Sequence, residues 1–282
     1  MTYSGAPSSV RALEQRIRNL EGTPQLALRR RIAMALVVVG QMLPDGAIKG
    51  GSAMALRYGR ETRFTRDLDA ARAKPMMRFR QDFETSLASG WAGFTGRLVE
   101  KAQPRPVGVP AAYVMQPFDV NLDYRGKSWC TVTFELGHNE IGDADEPDQR
   151  IADDLVRLFV DVGLEAPKAV PVLRADHQIA QKLHAVSAPD SERARDLVDL
   201  QLLSRDEELD LVQVRGTCER LFAYRGQHSW PPVIGADARW FSLYEVAREG
   251  VDVLVDVHAA VVWCNAFVAQ IMCADGETQG LR

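Results

Sequence analysis

Lys49-Gly50-Gly51-Ser52 and Asp67-Leu68-Asp69 are the residues of this chain whose types and spacing suit phosphate and metal chemistry. Glycine lets a backbone approach an anion closely. A helix opening at such a turn adds unpaired N–H groups and partial positive charge. Two aspartates at i and i+2 on a strand share a face, where they suit one or two divalent cations bridging carboxylate and phosphate oxygens. Singly, each piece is common, because Gly-Gly is usually a turn and D-x-D usually surface charge. The order strand, Gly-Gly-Ser, helix, strand, D-x-D makes the combination specific.

Two later segments carry charge on helical patterns. In Gln178-Ile179-Ala180-Gln181-Lys182-Leu183-His184-Ala185, Lys182 lies one turn beyond Gln178, beside an apolar stripe that includes Ile179 and Leu183. In Arg193-Ala194-Arg195-Asp196-Leu197-Val198-Asp199-Leu200, Asp196 and Asp199 lie on the charged side of an amphipathic pattern. By themselves both segments read as ordinary surface helices.

The elements that must position these groups follow from periodicity. Apolar residues at helical spacing predict helices over 10–20 and 24–42, and Pro44-Asp45-Gly46 signals a turn before a short strand at 47–49. A helix over 53–58, a strand at 67–70 and a helix over 76–89 follow. Residues 113–124 and 129–136 alternate as strands around a Tyr124–Ser128 hairpin, and the acidic loop 138–148 shows no period. Helical periods then dominate over 151–162, 175–186, 192–203, 208–224, 242–249 and 251–272. The expected organisation is N-terminal helices at 1–45, an α/β core at 46–140, a helical portion at 149–274 and a frayed tail at 275–282.

The 282 residues have ordinary globular composition, 46% hydrophobic and 26% charged, which excludes fibrous and wholly disordered classes. The net charge of -4 hides an asymmetry, +9 over residues 1–105 and -13 over 106–282. A basic N-terminal part can attract phosphate while the acidic remainder resists indiscriminate adhesion to nucleic acid. Arg57, Arg60, Arg63, Arg66, Arg72, Arg78 and Arg80 surround the D-x-D segment. Cys130, Cys218, Cys264 and Cys273 form no CxxC pair, so neither a zinc knuckle nor a disulfide framework is encoded. The five tryptophans are scattered, with no aromatic-plus-basic platform for single-stranded nucleic acid. The apolar runs Ile32–Leu43 and Val251–Ala274 are respectively too short and too charged to span a bilayer, which leads us to expect a soluble protein of a reducing compartment.

Gly51-Ser52 followed by Asp67-x-Asp69 resembles the signature of the DNA polymerase β-like nucleotidyltransferases. The fuller strings, from Lys49 to Leu56 and from Arg63 to Asp69, are similar to the AbiEii/AbiGii-type nucleotidyltransferase toxins of type IV toxin–antitoxin systems. The resemblance implies an α+β fold, a minimal nucleotidyltransferase core of mixed sheet flanked by helices, followed by a helical C-terminal portion. It implies Mg²⁺ or Mn²⁺ on Asp67 and Asp69, and a third metal carboxylate on an adjoining strand, for which Glu135 competes with Asp119 and Asp123. It assigns Gly51 and Ser52 to the nucleoside triphosphate, Lys182 to its phosphates, and a catalytic or nucleotide-binding role to Asp196 or Asp199. It implies transfer of a nucleotide to RNA, foremost a tRNA acceptor end, in a prokaryotic cytoplasm, with a cognate antitoxin as partner. Arg57, Arg60, Arg63 and Arg66 are then candidates for guiding the RNA backbone. A small-molecule or protein acceptor, or a non-catalytic nucleotide-binding module, are the rival expectations.

Overall fold

The computed structural model describes residues 3–20, 22–105 and 114–274, and the tail 275–282 lies outside them. The chain divides into two compact units, residues 1–60 with 64–173, and residues 61–63 with 174–282.

Unit 1 is built on one sheet. Helix α1 (Val10–Asn19) starts where the Ser9 hydroxyl accepts the Ala12 N–H, and α2 (Pro24–Gln41) where Thr23 accepts the Leu26 N–H, with proline in the first turn. Then come β1 (Ala47–Lys49), α3 (Gly50–Tyr58), β2 (Leu68–Ala71), α4 (Met76–Ser89), β3 (Phe94–Glu100), β4 (Gln116–Tyr124) and β5 (Lys127–Gly137). The unit closes with β6 (Asp148–Arg150), α5 (Asp153–Asp161) and β7 (Val170–Val172). The strand order is β3-β4-β5-β2-β1-β7-β6. β2 is parallel to β5 and β1 to β7, whereas β1–β2, β3–β4, β4–β5 and β6–β7 are antiparallel, so the sheet is mixed.

The expected hairpin joins β4 to β5, and its two turn residues, Arg125 and Gly126, both have positive φ (49° and 71°), as a two-residue hairpin turn of matching twist requires. Alternation along β4 buries Phe118, Val120, Leu122 and Tyr124. Phe79 and Phe83 of α4 close over Phe134 of β5, with ring centroids 6.4 and 5.3 Å away. Truncating a ring in such a cluster costs about 3–5 kcal/mol.

Strands β3, β6 and β7 have no counterpart in the sequence reading. β6 and β7 hold three residues each, too few for a period-2 pattern to register. Their pairing moves the boundary between the portions. β7 pairs with β1 through Ile48 and Val172, and the Leu173 N–H donates to the Ile48 carbonyl at 2.7 Å. Residues 149–173, expected in the helical portion, therefore complete the sheet unit.

Unit 2 is helical: α6 (Ala175–Val186), α7 (Arg195–Asp206), α8 (Leu211–Arg225), α9 (Trp240–Arg248) and α10 (Val257–Met272). α6 is buried on nearly every side, with Ile179, Ala180, Leu183 and Val186 in the core between α7 and α8. Asp256 accepts the Ala259 N–H at 2.8 Å, so α10 starts at Val257 rather than near Val251. Among the described residues, no helix is long and apolar enough to cross a membrane. All four cysteines are free, and burial pushes the Cys130 and Cys264 thiols up to about 12, which keeps them protonated.

Candidate active site

In unit 1 the registers place three charged residues in one row across the sheet. Lys49 of β1 lies opposite Asp69 of β2, and Asp69 lies opposite Glu135 of β5. Directly paired residues project from the same face of a sheet. Asp67, two residues before Asp69, precedes β2, while Leu68 and Ala70 turn into the core. Phe134 and Leu136 likewise fix Glu135 on the opposite face by simple alternation.

The row is electrostatically strained. The Glu135 pKa is raised, first by partial burial and then by the negative charges of Asp69 and Asp67, with Lys49 and Lys101 acting in the other direction. The other candidates for a third carboxylate lie elsewhere on β4. Asp119 pairs in register with Thr133 and ion-pairs with Lys101 at 3.2 Å, and Asp123 pairs with Ser128. Register therefore selects Glu135 as the carboxylate beside Asp69.

The turn from β1 into α3 is tied to this row. Gly50 has φ +63°, and a methyl group built on it would collide with the Asp69 carboxylate. Glycine is thus required twice, for the left-handed backbone and for the close approach. Ser52 is fully buried, and its hydroxyl donates to the Lys49 carbonyl at 2.8 Å and accepts the Asp69 N–H at 3.2 Å. Its hydroxyl therefore braces the turn against β2. Gly51, in the first turn of α3, is also buried.

In unit 2 the charged helical segments meet. Lys182, 4% exposed, extends Nζ to within 2.6 Å of Asp199 Oδ2 and 3.4 Å of Asp196 Oδ1. Asp199 also accepts Arg63 Nε at 3.0 Å and Nη2 at 2.9 Å, a bidentate pair. Asp196 accepts Arg193 Nε at 2.7 Å. Both carboxylates are fully buried. Burial acts to raise the Asp196 pKa, but Lys182 and Arg193 outweigh it and hold the carboxyl below the ordinary carboxylate range. Lys182, Arg63 and Arg193 thus meet the carboxylates of Asp196 and Asp199 in one buried cluster. Arg195 stands near it, its pKa lowered by burial and by Arg193 and Arg63.

A model of the family described as nucleotidyl transferase AbiEii toxin, type IV toxin–antitoxin system, matches residues 41–256. The chain belongs to this family. It is a nucleotidyltransferase toxin of the AbiEii type, α+β in fold. It is also similar to the nucleotidyltransferase toxin MenT4 of Mycobacterium tuberculosis H37Rv, at 15% identity and a TM-score of 0.45 over 94% of this chain and 98% of that one. The family assignment rests on the family model and not on that likeness. No curated protein sequence matches the chain.

In this AbiEii-type chain the four arginines proposed for RNA have very different surroundings. Arg57 is buried and donates to Asp148 Oδ2 at 2.5 Å and to the Leu173 carbonyl at 2.7 Å. Arg60 pairs with Asp154 at 3.4 Å, and Arg63 is taken by Asp199. Arg66 is exposed and lies over the Phe64 ring at 5.5 Å, and Arg29 lies over the same ring at 5.3 Å. That Arg29–Phe64–Arg66 cluster was not foreseen, because Arg29 is brought to Phe64 only by folding. Lys49 and Gly50 also emerge as site residues, and the signal for both was their place in the Lys-Gly-Gly-Ser string.

Among the described residues, no group of three or more His, Cys, Asp or Glu side chains is arranged to hold a metal ion. The donor chemistry of Asp67, Asp69 and Glu135 nevertheless fits a hard divalent cation, since all three offer carboxylate oxygens, and the charges of Asp69 and Asp67 add to burial in raising the Glu135 pKa. They fit as a set that a cation would draw together, not as a preformed cage.

Proposed function

We propose that this enzyme transfers a nucleoside monophosphate from a nucleoside triphosphate to the 3′ end of an RNA, foremost a tRNA acceptor end, and thereby blocks translation. The observation that carries this reading is the row Lys49–Asp69–Glu135 beside the β1–α3 turn. Asp67, Asp69 and Glu135 would hold Mg²⁺ or Mn²⁺, which when bound neutralises charge developing on the departing pyrophosphate. Gly50 and Gly51 carry no side chain between the first N–H groups of α3 and the triphosphate oxygens they are proposed to meet. Lys49 sets a positive charge beside Asp69 and Glu135, and Ser52 fixes the height of Asp69 by holding its backbone N–H.

In unit 2, Lys182 and Asp196 are proposed to serve the phosphates and the attacking hydroxyl as the family resemblance assigns. Asp199 holds Arg63 and Lys182 in place. Arg66, with Arg29 and Phe64, is the basic and aromatic surface proposed to meet RNA, since the Arg57 guanidinium is consumed internally. A cognate antitoxin and a cytoplasmic site of action complete the reading.

The test is incubation with total tRNA, Mg²⁺ and each α-labelled nucleoside triphosphate, beside Asp69→Ala. Label entering tRNA from a preferred nucleotide, and lost in the variant, is expected. Label transferred instead to a protein or small molecule would replace the RNA acceptor.

A further inference from the structure

The Lys49 side chain starts on β1 and ends beside β5. A methyl group built on Gly137 would stand 2.8 Å from Lys49 Nζ and 3.6 Å from its Cε. Because β2 lies between β1 and β5 in the sheet, the lysine stem lies across β2. The adjoining register row is Ala47–Ala71–Gly137, with no side chain larger than a methyl group. Gly137 is buried and Lys49 half-buried. Glycine at 137 therefore leaves open the seat that the ammonium occupies.

This ammonium is not spent on the fold. Among the described residues it enters no hydrogen bond and no ion pair, although Asp69 and Glu135 share the Lys49 row. Its charge reaches Glu135 from beyond ion-pair distance. By contrast, Lys74 pairs with Asp82 and Lys101 with Asp119, each at 3.2 Å, and Lys182 pairs with Asp199 at 2.6 Å. A half-buried ammonium has given up part of its hydration, and among the described residues no anion replaces it. Its three N–H groups only donate, so what completes it is an acceptor, best an anion, from outside the chain.

We propose that Lys49 binds a phosphate group of a substrate, with Gly137 as the residue that positions its ammonium. The proposal rests on the reading of Asp67, Asp69 and Glu135 as the site of transfer. In nucleotidyl transfer the phosphate has two sources, the triphosphate of the donor and the phosphodiester backbone of an RNA acceptor. Lysine suits either, as a compact charge on a flexible stem. Repulsion from the three carboxylates makes the contact depend on Mg²⁺.

The test uses the full chain in Mg²⁺ and two probes, inorganic triphosphate and a short single-stranded RNA, each titrated by calorimetry. Lys49→Met keeps the stem and removes the charge, whereas Gly137→Ala keeps the charge and displaces the ammonium. Only the flexible end of Lys49 crowds the new methyl group, so Gly137→Ala is expected to fold. In Lys49→Met, about tenfold weaker binding is expected for the probe that carries the contacted phosphate, with a smaller loss in Gly137→Ala. Loss confined to inorganic triphosphate names the donor, and loss confined to the RNA names the acceptor. Mg²⁺ alone should bind Lys49→Met at least as tightly as wild type, because the lost charge opposes the cation. Equal phosphate binding in Lys49→Met and wild type overturns the proposal and leaves Lys49 a distant counter-charge to Glu135. Loss of Mg²⁺ binding in that variant also overturns it, since the defect then belongs to the carboxylates. If Lys49→Met fails to fold, Gly137→Ala decides. A wild type that binds neither probe defeats the reading of the transfer site itself, and this proposal with it.

Discussion

The Ser52 hydroxyl accepts the Asp69 backbone N–H at 3.2 Å while donating its own hydrogen to the Lys49 carbonyl at 2.8 Å. One buried oxygen thus ties the end of β1 to the start of the D-x-D strand. Substitution by alanine leaves both backbone groups without this partner in a dry setting. Ser52→Ala is expected to lose about 1–3 kcal/mol of stability in urea unfolding. Its transferase activity should fall further than that loss accounts for. Full activity at native stability would show that the brace does not position Asp69.

Gly50→Ala tests the approach of the turn to the carboxylate directly. The left-handed φ and the collision with Asp69 act together, so either the turn or the aspartate must move. Strain of this kind costs on the order of 1–3 kcal/mol. A folded Gly50→Ala protein is expected to lose nucleotide transfer, read as label incorporated per hour, while Gly5→Ala, with open space around it, should behave as wild type.

Glu135 sets a pH dependence of known sign. Its folded-state pKa is raised above the ordinary 4.5, so the folded chain holds the proton more tightly than the unfolded chain does. Protonation therefore favours folding, and this group's contribution to stability is lost as pH rises through 4.5 to the raised value. Glu135→Gln should flatten that fall in unfolding curves taken without divalent cations. The same variant should also abolish the stabilisation that added Mg²⁺ gives the wild type. A variant stabilised by Mg²⁺ as strongly as wild type would remove Glu135 from the metal set.

The buried cluster of unit 2 predicts asymmetric mutant costs. Asp199→Ala strips Lys182 of its nearest carboxylate and Arg63 of its bidentate partner, leaving buried positive charge uncompensated. A loss of roughly 3–5 kcal/mol is expected, measured by thermal or chemical unfolding. Arg193→Ala removes the partly exposed member of the cluster and leaves Asp196 facing Lys182, so its cost should be clearly smaller.

The Arg29–Phe64–Arg66 surface predicts a salt-dependent readout. Arg29→Ala and Arg66→Ala should each weaken tRNA binding and lower the slope of log affinity against log salt by about one. Arg57→Ala should instead lower stability, because that guanidinium holds Asp148 and the Leu173 carbonyl inside unit 1. Unchanged salt slopes in both surface variants would send the RNA elsewhere.

Local sequence sufficed for much of this protein. Ser9 caps the first helix and Pro24 opens the second, and the Lys-Gly-Gly-Ser and D-x-D strings alone identified the strand–turn–helix and the aspartate strand, whereas the Asp210 and Asp256 caps start their helices later than the periodicity suggested. Capping, periodicity and turn chemistry act over a few residues, so they can be read along the chain. Tertiary structure decided the rest, because it depends on contacts far apart in sequence. Asp69 acquires Glu135 as its neighbour only through the parallel β2–β5 pairing, 66 positions apart in number, and the register that sets Asp119 opposite Thr133 exists only in the sheet. Lys182, indistinguishable in sequence from a solvated helix lysine, is buried against Asp196 and Asp199, the second of which also holds Arg63. Arg57 and Arg66 are alike in sequence, and burial beside Asp148 makes one structural while exposure beside Phe64 leaves the other available. Charge type is a property of the residue, but whether a charge is spent on the fold or offered to a ligand is set by what folding places next to it.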